Sequence, residues 1–444
     1  MQHETSSRTK GRTRGTGTIE PISVPAAVTD PSSLGFAACE GGVCAAAGIR
    51  AVGIHAGFRA ETTRKDLALI TADEPCACAA TFTKNRFCAA PVQVSRPRAA
   101  SGRAQAIILN SGNANAATGD QGVACARASA RIVAQELGCS EDDVLVASTG
   151  VIGVPLPMGP YETGVPAAAA ALEHSPAAAH DAARAVMTTD TVPKEVSLAG
   201  PVACGPGGTD VTVHVGGFVK GSGMIQPDMA TMLCVLSTDA PLTAAAAQAA
   251  LSAAVGQTFN RVTVDSDTST NDSCFLLATG AAGGGPIEVG SRGYDAIAGA
   301  IRCACENLAR KIAADGEGAT RLVTVDVVGA ASEADADAVA RSIANSPLVK
   351  TAIFGRDANW GRVAGAAGKC GVEFDQHDVD IDFLGIPVLR AGLPLPVDEA
   401  EMLRRFEAPE VSIVVSLGMG TAHARIWTCD LTHDYVTING DYRT

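Results

Sequence analysis

Strand-length apolar runs interleave with Ala-rich helical segments along both halves of the chain, and several of the strands alternate apolar and polar residues. Together these features predict a mixed α/β protein with layered sheets. Pattern alone leaves a parallel doubly wound sheet open as the alternative. The 444 residues suffice for two or three structural units with ample core, and no internal repeat divides them.

Residues 1–33 are rich in Ser and Thr, carry Arg8, Lys10, Arg12 and Arg14, and continue into Pro21, Pro25 and Pro31. This composition predicts a disordered leader. Glu4 and the lack of an amphipathic period argue against a transit peptide. Folded sequence is expected from about Gly41. Strands are expected at Ile49 to Ile54, Leu67 to Ile70 and Gln105 to Asn110, with a further strand and turn within Ala79 to Val94. Ala128 to Leu137 reads as a helix with Gly138 as its C-cap, followed by a strand at Val144 to Ser148. Ala177 to Met187 is a second helix, and Pro193 prevents its continuation. Val211 to Val219 alternates, and Met232 to Leu236 reads as a buried strand.

Further along, an Ala helix runs from Leu242-Thr243 to about Val255, and strands are expected at Val262 to Val264 and Cys274 to Ala278. Tyr294 to Ala314 is a strong helix ending at Gly316. A strand at Leu322 to Val328 leads to Ser332, which caps a helix to Ile343. Val379 to Leu389, Glu410 to Leu417 and Ala422 to Cys429 are expected strands, with a helix at Val397 to Phe406. The last ten residues, Tyr435 to Thr444, read by position as a frayed tail.

The net charge of −13 argues against nucleic acid and anionic membrane as partners. No apolar run reaches the roughly 18–20 residues of a membrane span. Most of the 14 Cys sit singly in apolar stretches, as at Cys125, Cys234 and Cys274. Cys76-x-Cys78 and Cys303-x-Cys305 have no partners at zinc-site spacing. Reduced thiols, a cytoplasmic location and no metal are expected. Cys204-Gly205-Pro206-Gly207-Gly208 is not followed by Lys-Ser/Thr, so it is no phosphate loop. A calcium loop counted from Asp265 would need Gly at Thr270 and Glu at Leu276, and fails at both.

One stretch organises the rest: Lys220-Gly221-Ser222-Gly223-Met224-Ile225-Gln226-Pro227-Asp228-Met229-Ala230-Thr231-Met232-Leu233. Glycines lead to Thr231, which stands where a flexible loop meets an apolar strand. A Thr hydroxyl needs a base, and the amine of the same residue, freed by cleavage before it, can serve without a histidine. A plain glycine loop before a core strand remains the alternative from these residues alone. Thr149-Gly150, a glycine turn after a strand, is either a strand exit or an oxyanion-binding turn. Thr188-Thr189-Asp190-Thr191 is either a cap and turn or a substrate site, and Glu317 between two glycines is either solvated or aimed at a ligand. The two arginines of Phe354-Gly355-Arg356-Asp357-Ala358-Asn359-Trp360-Gly361-Arg362 could pair a substrate carboxylate or simply the local Asp357, and the structural role is preferred.

The Lys220–Leu233 stretch resembles the self-cleavage motif of the ornithine acetyltransferase (glutamate N-acetyltransferase) family of arginine biosynthesis. The runs Ser111-Gly112-Asn113-Ala114-Asn115, Phe259 to Ser273, Phe354 to Arg362 and Tyr435 to Thr444 resemble it too, so the likeness spans roughly residue 45 to the last residue. The resemblance implies an α/β/β/α sandwich with mixed sheets. It implies cleavage between Ala230 and Thr231, giving chains 1–230 (ordered from about 34) and 231–444, assembled as a heterotetramer of two copies of each. Thr231 becomes the nucleophile, Thr149 and Gly150 the oxyanion hole, and Thr188 (with Thr189 as the near alternative), Lys220, Glu317, Asn439 and Thr444 the substrate site. The implied substrates are N-acetylornithine and glutamate. No resident cofactor is implied, and acetyl-CoA is a candidate second acetyl donor. Ser266 and Gly440 replace the family's Gly and Ala, and Gln226 and Asp228 replace a small residue and Asn. A self-cleaving aminopeptidase or amidohydrolase using the same Thr231 is the alternative from a different class. An uncleaved binding protein is the third reading.

Overall fold

The computed structural model describes residues 20–25, 30–226 and 232–441. After a two-residue strand β1 (Ala37–Ala38), a first unit is built from β2 (Ile49–Ile54), β3 (Leu67–Phe82), helix α1 (Ala90–Ala99), β4 (Arg103–Asn113), α2 (Gly119–Leu137), β5 (Val144–Val151), α3 (Gly159–Ala170) and α4 (Pro176–Ala185). It continues through β6 (Lys194–Val202), β7 (Val211–Lys220), β8 (Leu233–Thr238), α5 (Ala244–Gln257), β9 (Ser273–Ala278) and α6 (Tyr294–Ala314). Its strands form one mixed sheet in the order β1-β6-β7-β8-β9-β3-β4-β5, with β2 on β3. The long β3 belongs to two halves. Leu67–Thr71 pairs with β2 and β4, and Ala77–Phe82 pairs with β9.

Period-two burial shows that the two halves face each other. Ile107, Leu109 and Leu145 pack with Val235, Phe275 and Leu277 in one central core. The alternate residues Ile108, Val144 and Val146 turn outward onto α2 and α3, and Cys234, Leu236 and Leu276 turn outward onto α5 and α6. Helices therefore cover both outer faces of a paired sheet, giving the α/β/β/α layering that the resemblance implied. The Ala-rich α4 contributes Ala179, Ala182 and Ala183 to the central core.

The second unit follows α6: β10 (Leu322–Ala330), α7 (Glu333–Ala344), α8 (Pro347–Phe354), α9 (Trp360–Gly368), β11 (Asp380–Phe383), β12 (Ile386–Arg390), β13 (Leu393–Pro394), α10 (Glu399–Arg405), β14 (Glu410–Ser416), β15 (Ala422–Cys429) and α11 (His433–Asp441). Its sheet order is β13-β12-β11-β14-β10-β15, with β10 parallel to β14 and antiparallel to β15. One face buries Val323, Val325, Ile413 and Ile426 against α7. The other carries ion pairs, Arg425 with Asp326 at 2.8 Å and Arg390 with Asp382 at 2.5 Å. Trp427 and Cys429 of β15 join the core built on α5 and α6, which ties the units together.

Several expectations need correction. Part of the expected leader is ordered: the Ile22 amide donates to Asp382 Oδ2 at 2.6 Å, Arg390 and Arg425 reach the Glu20 and Pro25 carbonyls, and Pro31–Leu34 is a 3-10 turn. Val262 to Val264 is not a strand. It makes one bridge to Trp427, and the Val264 carbonyl accepts from the buried Lys350 ammonium at 2.8 Å. Val379 to Leu389 is two strands, β11 and β12, because Leu384 and Gly385 take positive φ (52° and 73°) and fold it into a hairpin. Within Ala79 to Val94 the chain leaves β3 and enters α1, which starts at Ala90. The tail from His433 to Asp441 is helical rather than frayed.

Candidate active site

The site forms where strand ends converge. β7 ends at Lys220, β8 begins at Leu233, and these two residues pair with each other. The end of β7 and the start of β8 therefore lie side by side at one end of the sheet. Ala230 and Thr231, the expected cleavage pair, lie outside the described residues, as does the expected substrate residue Thr444. The loop leading to them is anchored residue by residue. The Gly221 amide donates to Asp190 Oδ1 at 2.7 Å, the Ser222 hydroxyl to the Asp315 carbonyl at 2.7 Å, and the Met224 and Ile225 amides to Asp265 at 2.6 and 2.8 Å. Gln226 accepts from Asn345 Nδ2 and from the Thr263 hydroxyl, which fixes the last described residue before the expected cut.

Thr149 and Gly150 sit at the end of β5. Gly150 has φ 132°, and a Cβ there would stand 2.3 Å from the Gly112 carbonyl carbon, so only glycine fits between these strands. Lys220 Nζ lies 3.5 Å from Thr149 Oγ1. Thr149, Gly150, Thr188, Lys220, Glu317 and Asn439 line one cavity of about 240 Å³, with Thr189, Asp265, Asn271 and Tyr435 beside them. Of the residues expected from the sequence, every one that lies among the described residues borders this cavity.

Charge is concentrated here. Lys194, only 1% exposed, sits between Asp190 (2.7 Å) and Asp315 (2.5 Å). Burial alone would raise the Asp190 carboxyl, but the Lys220 and Lys194 ammonium groups bring it down to about 2. Burial pulls the Lys220 ammonium below the usual lysine range, against the Asp190 carboxylate, which holds it up. Asp272 is 2% exposed, and burial pushes its carboxyl well above the usual carboxylate range. Among the described residues its Oδ2 has no hydrogen-bond partner. Glu317 Oε2 accepts from Asn439 Nδ2 at 2.7 Å, so the tail helix closes one side of the cavity. Burial, opposed by three amide donors, raises the Asp265 carboxyl.

The structural reading of some motifs holds beside the functional one. Asp190 accepts from the Thr188 amide at 3.0 Å, a local turn, and also carries the buried ion pair. Asn113 and Asn115 spend their amides on the Val154, Pro155 and Gly122 carbonyls; only Ala114 of that run lines the cavity. Arg362 donates to the Leu348 carbonyl at 2.8 Å, a structural role as expected. Sequence reasoning missed Lys194, Asp265, Asp315 and Tyr435. It also missed Arg59 and Arg64, whose guanidinium groups pin the Met187 and Thr188 carbonyls at 2.9 Å. Apart from Lys194, whose pairing with Asp190 is only four residues long, each of these residues gains its role from a partner far along the chain, where local pattern carries no signal.

Comparison with known proteins matches residues 50–444 to the ArgJ family. A protein of Symbiobacterium thermophilum, named arginine biosynthesis bifunctional protein ArgJ, is 48% identical over 405 residues, which is 91% of this chain and 99% of that protein. Its namesake in Thermosynechococcus vestitus is 45% identical over 421 residues, 91% of this chain and 98% of that one. Among solved structures, ornithine acetyltransferase of Mycobacterium tuberculosis in complex with ornithine is 37% identical, with a TM-score of 0.39, covering 44% of this chain and 98% of that one. With a family match that runs to the last residue and relatives of this identity aligned along nine-tenths of its length, the chain belongs to the ArgJ family.

Proposed function

We propose that the chain is a self-cleaving acetyltransferase that moves the acetyl group of N2-acetyl-L-ornithine to L-glutamate through an acetyl-Thr231 ester. Cleavage at Ala230–Thr231 frees the Thr231 amine, which takes the proton of its own hydroxyl as that oxygen attacks the acetyl carbonyl. Thr149 and Gly150 stabilise the oxyanion of the tetrahedral intermediate. The ammonium returns its proton to the leaving nitrogen, ornithine departs, and the amine of glutamate attacks the ester to restore Thr231. Lys220 holds the α-carboxylate, Glu317 and Asn439 the side-chain end, and Thr188 and Thr444 complete the site. The observation that supports this most is the shared cavity, which borders every described residue of the implied set, including Lys220 at the end of the strand that leads to the Thr231 loop. At about 240 Å³ it suits one small amino-acid derivative at a time, in keeping with substrates that take turns.

The relatives are named bifunctional. A second donor, acetyl-CoA, fits that name and would let the same acetyl-Thr231 arise without N-acetylornithine. The chains 1–230 and 231–444 assemble as two copies of each, in the cytoplasm. The test is exchange. Without glutamate, the protein should move labelled ornithine into N-acetylornithine; with glutamate it should yield N-acetylglutamate and ornithine in equal amounts. Release of acetate with no exchange would instead identify a hydrolase.

A further inference from the structure

On the proposed function, one cavity must receive two side chains of opposite charge in turn, and the inference here rests on that reading. Asp265, Asp267 and Glu317 all line the cavity. An incoming δ-ammonium finds these carboxylates favourable. A γ-carboxylate entering the same end meets like charge, so its acceptance needs a hydrogen-bond donor. Three donors beside these carboxylates are already engaged. The Met224 and Ile225 amides are on Asp265, and Asn439 Nδ2 serves both Glu317 (2.7 Å) and the Tyr435 carbonyl (3.0 Å). Tyr435, on α11, lines the same cavity beside Asp265, Asp267 and Glu317. A phenol both donates and accepts.

We propose that Tyr435 is the specificity-determining residue that lets this cavity accept a cationic and then an anionic side chain: its oxygen accepts from the ornithine δ-ammonium, and its O–H donates to the glutamate γ-carboxylate. Burial and the surrounding carboxylates push the phenol above its ordinary range, so the proton to be donated stays in place at neutral pH. The helix that carries it is anchored at the site: the Asn439 side chain bonds the Tyr435 carbonyl and the Glu317 carboxylate.

In a ping-pong reaction, kcat/KM for each substrate reports only its own half-reaction. Tyr435→Phe should lower kcat/KM for glutamate at least about 10-fold more than kcat/KM for N-acetylornithine, the size of one hydrogen bond to a charged group. Asp267→Asn should shift the ratio the other way, by about 3-fold or more in favour of glutamate. Equal losses for both substrates in Tyr435→Phe would overturn the inference. Should that variant not accumulate as cleaved protein, an unshifted ratio in Asp267→Asn would overturn it instead. A wild-type protein that makes no N-acetylglutamate from N-acetylornithine refutes the proposed function; a working wild type with an unshifted ratio refutes only the role of Tyr435.

Discussion

A methyl group on Gly223 would stand 2.3 Å from the Glu317 carboxylate. A side chain there would push the Glu317 carboxylate aside, and Gly223→Ala should raise KM for N-acetylornithine about 10-fold by that displacement, measured by initial rates; an unchanged KM would show that the position of the Glu317 carboxylate does not matter to substrate binding. Two buried aspartates give opposite responses to pH. Asp190 is held down at about 2 by Lys220 and Lys194, so its contribution is present above the ordinary carboxylate pKa and is lost as pH falls towards 2. Removing its charge leaves Lys194 buried beside Asp315 alone, and Asp190→Asn should cost about 3–5 kcal/mol at pH 7. Asp272 is raised by burial, so the folded state binds a proton the unfolded chain gives up, and stability falls as pH rises above the ordinary carboxylate range. Asp272→Asn should therefore raise the melting temperature at pH 8 and leave it nearly unchanged at pH 4. Both comparisons belong in a Thr231→Ala background, where every protein is expected to be a single chain. A larger gain for Asp272→Asn at pH 4 than at pH 8 would reverse the assigned direction.

The elements legible in the sequence are those whose own residues decide them. Tyr294 to Ala314 repeats its apolar positions at helical spacing and is helix α6 over those residues. Ser332 caps α7 through the Asp335 amide, as its position before the helix implied. The misread elements are those that tertiary partners decide. Val262 to Val264 has strand composition, yet the Lys350 ammonium and the Asp265 turn take its backbone out of any ladder. α1 and α3 carry internal prolines, Pro97 and Pro166, which mask their helical pattern. α11 lacks a strong apolar face and has no buried residue; the Asn439 bond to Glu317, and Thr432 Oγ1 just before the helix on the Gly318 carbonyl at 2.7 Å, give it a place. Ending the chain at Leu431 should thus raise KM for both substrates at least 10-fold while cleavage persists, read by initial rates and intact mass. Unchanged KM values would remove α11 from the site.

At the scale of the molecule, the layers were implied by resemblance, and the alternation of Ile107 and Ile108, or of Val235 and Leu236, between central and outer cores is what realises them. The second sheet leaves an ion-paired face, and residues 20–25 bind across it through Asp382, Arg390 and Arg425. Deleting residues 1–29 should lower the melting temperature by a few degrees, the effect of losing three partly exposed hydrogen bonds to charged groups, and leave kcat unchanged. The central claim is that this chain becomes active by cutting itself before Thr231, and intact mass of the purified protein tests it most directly. Wild type should give two fragments that meet at Ala230–Thr231, and Thr231→Ala one full-length species. A single uncut chain in both, from a preparation that still transfers acetyl groups, would contradict the account, because no free Thr231 amine would exist to act as the base.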